Sequence, residues 1–129
     1  MHRLGLLLCL MLTVSPAAAA PEWRQAREYD LLLSSFDIQP AKIRFKAGEP
    51  VRLRLINNTG IAHSVTAKGL FKSAEVRPRD ASRVASGNVT VGSGETREIL
   101  LVPAPGRYTM RSGNLIYRLM GMSAQIVVE

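Results

Sequence analysis

Apolar and polar positions alternate along this chain in short runs, and glycine, proline and asparagine punctuate the runs. Residues 29–36, rich in leucine, predict a first strand, and a turn region at 37–41 around Pro40 closes it. Residues 42–46 set Ile43 and Phe45 against Lys42, Arg44 and Lys46, the period-two pattern of a half-buried strand. After Gly48 and Pro50, Val51, Leu53 and Leu55 alternate with Arg52 and Arg54, so one face is core and the other solvent. Asn57, Asn58 and Gly60 end that strand, residues 63–68 resume an extended pattern, and 69–88 form a long irregular connection, holding a short helix or running over one edge. Residues 95–102 predict a strand whose apolar end, 99–102, is buried. A turn at 103–106 leads into 107–111, with Tyr108 and Met110 on one face. The last strand, 123–129, sets Ala124, Ile126 and Val128 against Gln125, Val127 and Glu129. About seven short strands with few helix signals predict an all-β fold, a Greek-key β-sandwich. Tyr108, two residues after a Pro-Gly turn, resembles the tyrosine corner of such sandwiches.

The N-terminus does not follow this pattern. Arg3, the apolar run 4–14 and the small residues 17–20 read as a signal peptide over 1–20, with cleavage after Ala19 favoured by the A-x-A pattern. The run is too short to span a bilayer, so the mature chain has no transmembrane segment and is expected in the periplasm or secreted. Residues 21–28 are a polar lead-in of at most one helical turn, and 29–129 form the single domain.

Removing the signal changes the chemistry available. It takes away Cys9, the only cysteine, and His2, which leaves His63 as the only histidine. There is then no disulfide, no thiolate ligand and no cysteine nucleophile. The 17 basic residues lose only Arg3 and the 10 acidic ones lose none, so the mature chain carries +6. Such a surface favours an anionic surface or an envelope protein as partner, and no motif points to nucleic acid. The chain is expected to be a monomer. Asp30, Asp37, Glu95 and Glu98 show no spacing for acid-base work, so no enzyme activity is expected. Asn88 to Thr90 fits an N-glycosylation acceptor, a short and frequent pattern.

Three segments together carry a family resemblance: KAGEPVRLRLINNTG followed by IAHSV, then AKGLF, then PGRYTMRSGNLIYRLMGM running into SAQIVV. They resemble the cupredoxins, the blue-copper family, in the same order and over most of the mature chain. The resemblance implies that His63 stands at the first imidazole ligand, Ser112 at the thiolate, Tyr117 at the second imidazole and Met122 at the axial thioether. A type 1 centre needs two imidazoles and a thiolate, so Ser112 and Tyr117 mark degenerate ligand positions. Two functions remain open. One is a binding or accessory module of envelope metal handling, with Arg52, Arg54, Arg77 and Arg79 as a docking patch. The other is a small carrier of Cu(I) or another soft ion, held by His63, Met122 and Met120. No cofactor is certain, and copper is the ion to test. Met110, two residues from Tyr108 on one strand face, reads as packing.

Overall fold

The structure is a computed structural model that describes residues 20–129. Apart from Ala20, the signal peptide expected from the sequence lies outside the described residues. Among the described residues, ten strands form two five-stranded sheets. The strands are β1 (Arg27–Leu33), β2 (Ile38–Gln39), β3 (Lys42–Phe45), β4 (Val51–Asn57), β5 (His63–Thr66), β6 (Glu75–Val76), β7 (Asn88–Val91), β8 (Thr96–Val102), β9 (Gly106–Ser112) and β10 (Ser123–Val128). One sheet runs β2-β1-β4-β8-β6 and the other β3-β10-β9-β5-β7. β1 pairs with β4, and β3 with β10, in parallel, while the remaining pairs are antiparallel. The fold is an all-β sandwich, as the periodicity predicts.

The core lies between the sheets because the period-two pattern turns every second side chain inward. Leu31, Leu33, Leu53, Leu55, Ile99 and Leu101 from one sheet face Val65, Met110, Ile126, Val128 and Phe45 from the other, all buried. Full burial of one such side chain stabilises by about 1.5–3 kcal/mol. Outside the first sheet the intervening positions carry a charge ladder. Arg52 meets Glu98 at 2.9 Å, and Arg54 meets Glu28 at 2.7 Å and Asp30 at 3.3 Å.

Several boundaries differ from the pattern. β1 starts at Arg27 rather than at residue 29, because Arg27 N–H donates to Pro50 O and the parallel ladder with β4 begins there, shortening the lead-in. It ends at Leu33, leaving Phe36 in an exposed turn. The connection expected over 69–88 is highly structured. It holds α1 (Lys68–Ser73), β6, a 3-10 turn (Pro78–Asp80) and α2 (Ala81–Val84), and β7 begins at Asn88. Asp80, 1 % exposed, anchors this stretch: it accepts from Arg77 at 2.9 and 3.1 Å and from Leu100 N–H at 3.0 Å. Leu100, on the outer side of its sheet, is thereby buried. Val127 is also buried, although the alternation places it with the solvent-facing residues; its cross-strand neighbours are Arg44 and Arg107, long enough to cover it. Tyr108 closes its corner, donating to Ala104 O at 2.9 Å. Gly106 is required beside it, since a Cβ there would sit 2.9 Å from the Tyr108 hydroxyl.

No helix among the described residues is long and apolar enough to cross a membrane.

Candidate functional site

His63 opens β5, and a buried asparagine fixes the loop that delivers it. The Asn57 amide donates to Ile61 O (2.9 Å), Val91 O (3.0 Å) and Gly92 O (3.1 Å), while its Oδ1 accepts from the Thr59 N–H and hydroxyl. One side chain at the end of β4 thus ties the 57–62 loop to the end of β7. From sequence, Asn57 reads only as a strand terminator, because its partners are distant in the chain.

On the neighbouring strand, Val65 pairs with Ser112, so the inward faces of β5 and β9 bring His63 and Ser112 to the same end of the sandwich. Ser112 N–H donates to Met122 O at 3.0 Å, joining the start of β10. Between them lies a helix, α3 (Leu115–Leu119). Asn114 caps it, with Oδ1 accepting from the N–H groups of Ile116 (2.9 Å) and Tyr117 (3.4 Å), and Gly121 ends it at a φ of 93°. Both signals are visible in the sequence, but the run between them gives no buried helical face. Within α3 only Tyr117 turns toward the core, and its ring meets that of His63 at 5.5 Å between centroids.

His63, Ser112 and Met122 are all at least 98 % buried, and Met110 lies one inward position deeper on β9. Burial, by stripping water from the charged form, lowers the pKa of His63 below its ordinary 6.5, so the ring is neutral at pH 7. Its Nε2 is buried with no hydrogen-bond partner. Neither nearby hydroxyl serves it: Ser112 Oγ instead accepts from Asn114 N–H at 3.1 Å, and Tyr117 offers its ring. Leaving such a polar atom unpaired costs about 1–3 kcal/mol.

The remaining sequence candidates fall elsewhere. Met120 is 55 % exposed at the end of α3 and lies outside the buried group. Arg52, Arg54 and Arg77 are neutralised by Glu98, Glu28, Asp30 and Asp80, so of the four arginines read as a docking patch only Arg79 has no ion pair among the described residues. The side chains at this end are an imidazole, a hydroxyl, a phenol and a thioether, of which the His63 and Tyr117 rings are in contact. These do not fit the two-imidazole, one-thiolate set of a type 1 centre. Among the described residues no three His, Cys, Asp or Glu groups converge.

The fold is that of the cupredoxins. The chain resembles an auracyanin from Roseiflexus castenholzii at a TM-score of 0.58 and 13% identity, over 81% of this chain and 98% of that one. Auracyanin A of Chloroflexus aurantiacus, a blue copper protein, matches at 0.55 and 15% identity, over 79% and 98%. The McoA multicopper oxidase of Aquifex aeolicus matches at 0.62 and 15%, over 88% of this chain but only 32% of the oxidase. No family profile matches the sequence, and no curated protein does.

Proposed function

We propose that this chain is a non-enzymatic, cupredoxin-like binding or accessory module of metal handling at the cell envelope, working in the periplasm or after secretion without type 1 electron transfer. The supporting observation is the internal use of the two positions that would carry the strong ligands. Ser112 Oγ is engaged by the backbone of Asn114, and Tyr117 fills the space beside His63 with an aromatic ring. The signal-like N-terminus supports the compartment, and the auracyanin-like fold supports the connection to copper.

A second reading rests on one atom, the unpartnered Nε2 of His63. A neutral imidazole and the buried Met122 thioether at the same end of the sandwich are soft donors suited to Cu(I). In that reading the protein is a small carrier of Cu(I) or another soft ion, with His63 and Met122 holding it.

The test adds Cu(I) and Cu(II) separately to the purified mature chain and measures bound metal beside the His63→Ala and Met122→Leu variants. Uptake of one Cu(I) per chain, lost in both variants, establishes the carrier and removes the metal-free module. No uptake above background removes the carrier. Intense blue absorption in the wild type would overturn both readings, since it requires a thiolate.

A further inference from the structure

All six large hydrophobic side chains that stand exposed among the described residues belong to the His63 end of the sandwich. Four are on α3 or its cap: Leu115 (62 %), Ile116 (66 %), Leu119 (77 %) and Met120 (55 %). Phe36 lies against Tyr117 at 6.3 Å between ring centroids, and Ile61 is two residues from His63 and held by Asn57. The helix positions 115, 116, 119 and 120 form one face, directed away from the core, and exposures above half mean that these side chains project from the surface. Such clustering of exposed apolar groups marks an interaction site.

A polar groove of about 660 Å³ adjoins this face, lined by Lys68, Arg111, Arg118 and the side chains of Ser64, Thr66 and Asn88. Arg118 belongs to both, since it is part of α3 and donates from Nε to Ser112 O at 3.2 Å. No carboxylate lines the groove, and no ion pair among the described residues involves Lys68, Arg111 or Arg118. Residues 99–128, which contain β9, α3 and β10, include no acidic residue at all. On the opposite sheet, by contrast, Arg52 and Arg54 are matched by carboxylates. Three of the cations without an ion pair among the described residues, Lys68, Arg111 and Arg118, therefore line the groove that adjoins the exposed apolar face.

We infer that this end of the molecule docks on an anionic phospholipid surface, with the α3 side chains entering the boundary of the acyl chains and headgroup phosphates meeting Lys68, Arg111 and Arg118. The inference rests on the binding-module reading above and names its partner class. A bilayer supplies both parts of the match at once, apolar depth for projecting side chains and a dense layer of phosphate for the cations beside them.

The test is co-sedimentation of the mature chain with vesicles of phosphatidylcholine alone and of phosphatidylcholine mixed with phosphatidylglycerol. The wild type is expected to sediment with the anionic vesicles several-fold more than with the neutral ones, and less as salt is raised. Leu115→Asp with Leu119→Asp should lower binding about tenfold or more. Lys68→Ala with Arg111→Ala should remove about tenfold or more of the preference for anionic lipid. All four positions are exposed, so thermal melting should show both variants folded. No association with anionic vesicles, or association that neither double variant weakens, overturns the inference. So does a concentration-dependent dimer without lipid that Leu119→Asp dissolves, since the face would then meet a second copy. Metal uptake is measured independently, so failure on vesicles leaves the metal result for the module to stand or fall alone.

Discussion

The rings of His63 and Tyr117 meet at 62° with centroids 5.5 Å apart, while the buried Nε2 of His63 has no hydrogen-bond partner. Burial, which strips water from the charged form, favours the neutral His63 ring.

That state makes stability depend on pH. The folded protein holds His63 below its ordinary pKa of 6.5, so between the two values the unfolded chain binds more protons. The contribution is fully present above about pH 6.5 and is lost as the pH falls from there toward the folded pKa. Chemical denaturation across pH 7.5 to 5 should show wild-type stability declining on the acid side, with His63→Leu flattening that part of the curve. Parallel curves would show that His63 is not the group responsible.

If Ser112 and Tyr117 occupy the thiolate and second-imidazole positions, restoring both ligands should restore the chemistry. Ser112→Cys combined with Tyr117→His, loaded with Cu(II), is expected to give intense visible absorption from a copper-thiolate bond, with His63 and Met122 completing the set. Neither single variant should match it. A colourless double variant that binds Cu(II) would show that α3 holds position 117 away from the site.

Asn57, at the end of β4, makes three hydrogen bonds within the 57–62 loop and two to Val91 and Gly92 at the end of β7. Asn57→Ala takes the amide donor from the carbonyls of Val91 and Gly92, while Ile61 O keeps the Thr59 hydroxyl, and should destabilise by about 2–4 kcal/mol, measured by urea denaturation. Hydrogen exchange should rise in the 57–62 loop first. A loss under about 0.5 kcal/mol would mean that water replaces the amide without penalty.

Asp80→Ala removes the acceptor for Arg77 and for Leu100 N–H and should destabilise by about 3 kcal/mol in the same assay. Asp80→Asn should recover part of that loss, because one oxygen still accepts from Leu100. Equal losses in the two variants would assign the whole effect to the charge.

The strands facing the core are legible in sequence because burial on one face imposes the period-two alternation, as in Val51, Leu53 and Leu55. β7 is less so, since Val89 and Val91 make too short a run, and Asn88 to Thr90 equally fits a glycosylation acceptor. The order in the connection 69–88 depends on Asp80 reaching Leu100, a pairing across twenty residues that no local pattern encodes. The resemblance places His63, Ser112, Tyr117 and Met122 together, and the structure brings those four to one end. Met120 separates from them because α3 turns it outward, and α3 escapes a periodicity reading because its apolar residues face solvent. The Arg52 and Arg54 positions read correctly as a solvated face, but their carboxylate partners come from β1 and β8.

The helix between β9 and β10 carries its own start and stop in Asn114 and Gly121, and the two flanking strands are pinned to each other by the Ser112 to Met122 hydrogen bond beneath it. Residues 113–121 thus carry their own boundaries, and they meet the sandwich through the Tyr117 ring on His63 and the Arg118 hydrogen bond to Ser112 O. The exposed positions 115, 116, 119 and 120 can therefore vary without touching the core, whereas Tyr117 cannot. A scaffold built this way keeps its two sheets while the surface it presents at this end is open to change.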